Sequence, residues 1–267
     1  MNPGEIIAAI NRAYDNEPAR TPRRYIGASN IGNKCDAAVA FSLRGFPDDP
    51  PTPRLKRIFQ LGHDLEDQVV KDLKRAGIHV MEKDPLTGKQ FAYSEFGGHV
   101  ACHLDGLIEN GDEALLLEVK SMNDSSWTKF QKEGVKYSHP HYYAQCNLAM
   151  LMAGLRRTFF IAYNKNTSEY HIEVFERDDF EIAFIKEKVE RLLGGEATKV
   201  ATDETDWRCR GCFKAGVCWH DKPVETHCAT CAHSVPHESG GWWCRKHEIV
   251  AERPCASFER WRPKDRT

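Results

Sequence analysis

Apolar residues recur at helical spacing near the start of the chain, where Ile6, Ile7, Ile10 and Tyr14 form one stripe over residues 3–16 and predict a short peripheral helix. The turn Gly27-Ala28-Ser29-Asn30 predicts a helix N-cap, with a helix over 31–43 behind it. A stiff loop follows, marked by Pro47, Pro50, Pro51 and Pro53. Beyond it a long amphipathic helix is expected over 55–75, on the stripe Ile58, Leu61, Leu65, Val69 and Leu73. The period then changes to two. Residues 99–108 and 114–120 read as strands joined by the turn Asn110-Gly111-Asp112. A helix over 142–155, strands over 157–163 and 169–175, and a closing helix over 178–193 complete the pattern. This order predicts a mixed α/β (α+β) domain with a central sheet flanked by helices.

The chain has 267 residues, 10 of them cysteine, and 37 Lys+Arg against 39 Asp+Glu leave a formal charge of −2. That length supports one large domain plus a small appendage. No apolar run approaches the roughly 18 to 20 residues of a membrane span; the longest are 114–117 and 148–155, so no membrane partner is expected. Met1-Asn2-Pro3-Gly4-Glu5 shows no basic region followed by an apolar one, so the expected location is cytoplasmic and reducing. In that setting clustered thiols point to metal binding more than to disulfides. Near-neutral charge excludes a protein that coats nucleic acid indiscriminately, but charge is uneven. Arg20, Arg23, Arg24, Lys34 and Arg44 face Asp36 alone between residues 18 and 44.

The strand pair carries candidate chemistry. Glu118 and Lys120 are two apart and project from the same face, while Val119 points to the other layer. If the turn at 110–112 closes a hairpin, Asp105 reaches that side too. Two carboxylates and a lysine at a strand end suit a hard divalent cation and phosphodiester hydrolysis. On the helix over 55–75, helical phase places Glu66 at the edge of the apolar stripe and His63 further round. Gln145, on an otherwise apolar helix, requires a polar partner. The Ser29 hydroxyl at a helix start, with Arg23 and Arg24 just before it, suits a phosphate.

Seven of the cysteines fall at or beyond residue 209. Cys209-x2-Cys212-x5-Cys218 is one thiol short of a four-ligand site, and Cys35 is the candidate fourth. Four thiolates suit zinc or an iron-sulfur cluster equally. Cys228-x2-Cys231-x12-Cys244-x10-Cys255 reads as a small zinc ribbon in which His233, His237 or His247 replaces a cysteine or none does. Arg253, Arg260, Arg262, Lys264 and Arg266 suggest a basic tail facing DNA. Cys102 and Cys146 are assigned to the core. The expected division is a domain over 1–222 and a zinc-binding module over 223–267.

The ordered set Gly62-x-x-x-Glu66, Asp105-Gly106, Glu118-Val119-Lys120 and Tyr143-Ala144-Gln145 resembles the PD-(D/E)XK nuclease superfamily, in particular its lambda exonuclease/YqaJ and RecB-like branch, over residues 20–218. The resemblance implies a restriction-endonuclease-like sheet and an Mg²⁺- or Mn²⁺-dependent deoxyribonuclease. It implies Glu66, Asp105, Glu118 and the Val119 carbonyl as metal ligands, His63 as second choice for Glu66, Lys120 as catalytic, and Gln145 as a support of the site or a DNA contact. Leu104 stands where the motif's proline would be. Ser29 with Arg23 or Arg24 would hold a DNA 5′-phosphate. The distant Cys35 plus Cys209, Cys212 and Cys218 is similar to AddB-type and CRISPR-associated nucleases with a [4Fe-4S] cluster.

The activity so implied is an exonuclease acting on DNA ends, 5′ to 3′, in phage-type recombination or repair, beside a single-strand annealing protein or recombinase. A ring-shaped oligomer is known in this branch. One alternative is an iron-sulfur nuclease for single-stranded or branched DNA. Another is a catalytically silent DNA-binding subunit, against which the intact Asp105, Glu118 and Lys120 argue.

Overall fold

The structure, a computed structural model, describes residues 2–18 and 21–266; Arg20 of the basic segment lies outside them. The chain runs through α1 (Pro3–Asp15), β1 (Ile26–Gly27), α2 (Ala28–Ile31), α3 (Asp36–Leu43), α4 (Pro53–Arg75), β2 (Val80–Met81), β3 (Ala92–Glu95), β4 (Val100–His103), β5 (Gly106–Asn110) and β6 (Glu113–Met122). It continues through α5 (Asp124–Ser138), α6 (Pro140–Ala153), β7 (Arg157–Asn164), β8 (Tyr170–Glu176), α7 (Asp179–Leu193), α8 (Ala215–Trp219), β9 (Ser234–Pro236), β10 (Trp242–Cys244) and β11 (Ile249–Ala251). No described helix is long and apolar enough to cross a membrane.

The central sheet has the order β2-β5-β6-β7-β8. Only β6 and β7 are parallel, and α5 and α6 supply the crossover such a pair requires. One face of the sheet packs on α5 and α6 through Leu116, Phe130, Cys146 and Phe160. The other packs on α4 through Val69, Val70, Leu73, Val119 and Ile161. The fold is thus the expected mixed sheet flanked by helices. Cys102 and Cys146 are buried, at 2% and 0% exposure.

Two expected elements are broken. The helix expected over 31–43 is interrupted between Ile31 and Asp36, and Gly27, not Ser29, stands at the N-cap of α2. Lys188 bridges the break, donating to the carbonyls of Ile31 (2.9 Å) and Asn33. The strand expected over 99–108 is two strands in different sheets, β4 pairing with β1 and β3, and β5 with β2 and β6. Leu104, fully buried at the joint, donates its amide to the Phe91 carbonyl, turning the chain so that Asp105 faces β6. Gly106 is required here, because a Cβ would lie 2.9 Å from the Met81 carbonyl oxygen.

A smaller sheet, β11-β10-β9, forms in the C-terminal residues. Its Trp242, together with Ala229 and Trp261, joins the same apolar cluster that underlies the central sheet.

Candidate active site

The pairing of Gly106 with Leu117 puts Asp105 opposite Glu118, and Asp105 Oδ2 accepts from the Val119 amide at 2.9 Å. Glu118 is 2% exposed. Its Oε1 accepts from Gln145 Nε2 at 2.6 Å and from Lys120 Nζ, which also donates to the Val119 carbonyl at 3.2 Å. Gln145 therefore has the polar partner that its apolar helix demanded. The Lys120 ammonium lies 5.2 Å from the centre of the Tyr142 ring. Glu66 arrives from α4 close enough to Asp105 for that carboxylate's charge to act on it. His63, mostly exposed, lies beyond it, with Nδ1 4.0 Å from Glu66 Oε2. Of the two candidates on α4, Glu66 is thus the one that joins the carboxylates.

This arrangement is short of positive charge. Burial, reinforced by Asp105 and Glu66, pushes the Glu118 carboxyl up to about 7 even with Lys120 beside it. Burial and then Asp105 push Glu66 up to about 7 as well. Burial alone would lower Lys120, but Glu118 and Asp105 outweigh it and hold the ammonium above its ordinary range. Three carboxylates against one lysine fit a divalent cation by charge and by donor type. As the side chains stand, no three His, Cys, Asp or Glu among the described residues form a group able to hold a metal ion. At this site Glu118 is turned to Lys120 and Gln145 instead.

The basic segment reaches the same region because β1 pairs in parallel with β4, the strand that leads into Asp105. Arg23 and Arg24 diverge there. Arg23 Nη1 donates to Ser29 Oγ at 3.3 Å. Arg24 lies against Gly45 and pairs with Glu225 at 3.5 Å, so it is not part of a pocket with Ser29. Ser29 sits inside a four-residue helix, so the expected helix-start site reduces to a guanidinium and a hydroxyl.

The two thiol sets gather as separate clusters. Cys35, at the N-cap of α3, lines one cavity with Cys209, Cys212 and Cys218. Burial raises all three of the later thiols, Cys218 to about 12. Cys228, Cys231, Cys244 and Cys255 line another cavity together with His247, whose Nε2 is 3.5 Å from Cys255 Sγ. His233 instead faces Glu259, and His237 bonds Ser239. Neither set is a closed ligand shell as it stands. Both offer the soft donors that zinc or iron-sulfur clusters take.

Arg44, counted in the sequence with the basic segment, is internal instead. At 2% exposure, it donates from the C-cap of α3 to the carbonyls of Ala229 (2.9 Å), Cys231 (3.2 Å) and Ser234 (3.0 Å). Its guanidinium lies 5.1 Å from the Trp242 ring centre and 4.6 Å from that of Trp261. Burial lowers its pKa to about 9. No pattern in a sequence marks an arginine as internal.

The basic residues expected to face DNA are mostly engaged by the body of the protein. Arg260 donates to the carbonyls of Val217 and Lys222, Arg262 pairs with Asp221, Lys264 with Glu196, and Arg266 donates to the Val200 carbonyl. Arg253 is exposed, at the rim of the second thiol cavity.

No protein-family model matches the sequence, and no curated protein does. Among solved structures, the chain is similar to an alkaline exonuclease from Laribacter hongkongensis, with 21% identity, 70% of this chain and 91% of that one covered, and a TM-score of 0.48. The same exonuclease in complex with dAMP aligns at 19% identity over 64% and 87% of the two chains, with a TM-score of 0.47. A phage-related exonuclease from Haemophilus somnus 129PT aligns at 14% identity over 66% of this chain and 92% of that one, with a TM-score of 0.46.

Proposed function

We propose that this chain is a Mg²⁺- or Mn²⁺-dependent exonuclease that hydrolyses phosphodiester bonds at DNA ends, 5′ to 3′, in phage-type recombination or repair. The observation that carries the reading is the convergence of Glu66, Asp105 and Glu118 around Lys120, with Glu66 and Glu118 pushed up to about 7 by burial and by the neighbouring carboxylates.

The three carboxylates and the Val119 carbonyl would hold the ion, which when bound neutralises charge on the scissile phosphate and acidifies a water. Lys120 carries its full charge at neutral pH. It can orient the attacking water and stabilise the charge that develops on the phosphoryl oxygens. Gln145 fixes the Glu118 carboxyl through Oε1. Arg23 and Ser29 offer donors to a terminal 5′-phosphate on the strand entering past β1.

Duplex DNA labelled at one end tests this reading. The 5′ label is released first, and a 5′-phosphorylated end is preferred over a 5′-hydroxyl end. Arg23→Ala removes a charge-assisted contact of about 1.5 to 3 kcal/mol, so that preference falls roughly 10- to 150-fold, while Arg24→Ala leaves it intact. Release of the 3′ label first contradicts the polarity.

The first thiol set, with its distant Cys35, is proposed to hold a [4Fe-4S] cluster, and the second to hold zinc in a 223–267 module. The expected metal content is four irons and one zinc per chain after anaerobic purification, with broad visible absorption. A colourless protein with two zinc ions overturns the iron assignment.

A further inference from the structure

We propose that Phe59 and Phe213 form a stacking platform for unpaired bases of a DNA single strand at the mouth of the active site. This rests on the nuclease reading and specifies its substrate as an end whose bases are splayed out of the duplex. The two rings come from distant parts of the chain, one from the exposed half of α4 and one from the loop between Cys212 and Cys218. Their centres are 6.3 Å apart at 57°. Phe59 is 38% exposed and Phe213 36%, and neither belongs to either apolar core.

Their position points to the occupant. Seven residues separate Phe59 from Glu66, almost two full turns, so both project from the same face of α4. Gly62 and His63 lie between them on that side, and a Cβ at Gly62 would be 3.9 Å from Ser121 Oγ on β6. The face that carries Phe59 is therefore the face that looks onto the carboxylate cluster. The rise between the two residues is about 10 Å, roughly the length of three stacked nucleotides. Exposed aromatic rings beside a strand-binding groove stack bases of any sequence, and Arg210, just before Cys212, is exposed too.

The platform is also held firmly. The Phe213 carbonyl accepts from the Asp49 amide at 2.6 Å. The adjoining Lys214 is buried, donates to the Phe46 carbonyl at 2.7 Å and pairs with Asp48 at 2.8 Å. This arrangement gives the first thiol set a mechanical task, because it shapes the loop that presents Phe213.

The test is anisotropy of a fluorescein-labelled oligothymidine 20-mer in EDTA, where no hydrolysis occurs. Phe59→Leu and Phe213→Leu keep apolar bulk and are expected to weaken binding about 5- to 100-fold; Phe59→Trp and Phe213→Trp keep it. An abasic residue walked along the probe costs the wild type a similar factor at one or two adjacent positions and costs the Leu variants nothing there. Leu variants that bind like the wild type, or a wild type indifferent to every abasic position, overturn the platform. A wild type that digests DNA ends while failing these comparisons leaves the nuclease standing without the platform. One that passes them and hydrolyses nothing has the platform without the nuclease.

Discussion

Lys120→Ala is expected to lower kcat for end digestion about 10²- to 10³-fold, with KM for DNA nearly unchanged. The side chain donates to Glu118 and to the Val119 carbonyl, inside the carboxylate cluster. Removing one such preorganised donor costs about 2.7 to 4 kcal/mol of transition-state stabilisation. Glu118→Gln is expected to cost a comparable factor, because the amide can still accept from Gln145 but no longer contributes charge. The double variant should be barely worse than either single one, since groups that act as a unit do not add. Glu118→Gln also separates chemistry from folding. It removes a buried carboxyl that burial already pushes up to about 7, so at pH 8 the metal-free variant unfolds at a temperature no lower than the wild type. Steady-state kinetics with a separate thermal unfolding measurement check both halves. A loss of activity accompanied by a large loss of stability would make Glu118 a structural residue.

Arg44→Met is the second large expected effect, here on stability. The guanidinium satisfies three carbonyls of the C-terminal region and lies against two indole rings. Truncation takes the guanidinium donors away from these carbonyls inside the protein, although the Cys231 carbonyl keeps the Ser234 hydroxyl as a donor at 3.0 Å. At about 1 to 3 kcal/mol for each buried acceptor left without a donor, the expected loss is about 2 to 5 kcal/mol, or a Tm lower by roughly 4 to 20 °C. Arg44→Lys should recover little, because a single ammonium cannot reproduce the planar fork. The damage should spread to the first thiol set as well. Arg44 caps the C-terminus of α3, and Cys35 stands at the other end of the same eight-residue helix. Urea unfolding followed by tryptophan fluorescence reads this directly, because Trp242 and Trp261 flank the side chain. A change below about 1 kcal/mol would show that the C-terminal residues are anchored by other contacts.

Much of the site was legible because it lies on strands and on one long helix, where periodicity decides which side chains share a face. The two-residue period placed Glu118 and Lys120 together, and the 110–112 turn brought Asp105 opposite. The helical phase of α4 separated Glu66 from His63. Other parts depend on long-range contacts that no local pattern encodes. The break at Leu104 and Asp105 arises where one strand changes sheets, yet its sequence reads as continuous. The α5 helix carries many charged and polar residues and is kinked at Gly134, with φ of 71°, so its buried Trp127, Phe130 and Val135 fall out of a single helical phase. Glu173 holds that kink by accepting from the Val135 amide at 2.7 Å. Adjacent arginines were also indistinguishable in the sequence. The structure separates them through Ser29 for Arg23 and Glu225 for Arg24.

The central claim is that Glu66, Asp105, Glu118 and Lys120 form one metal-dependent hydrolytic centre. Its most direct test is digestion of uniformly labelled linear and circular duplex DNA by the purified wild type with Mn²⁺ or with EDTA. The expected result is acid-soluble mononucleotide from the linear DNA alone, and only with Mn²⁺. Intact linear DNA in Mn²⁺, or equal digestion in EDTA, would contradict it.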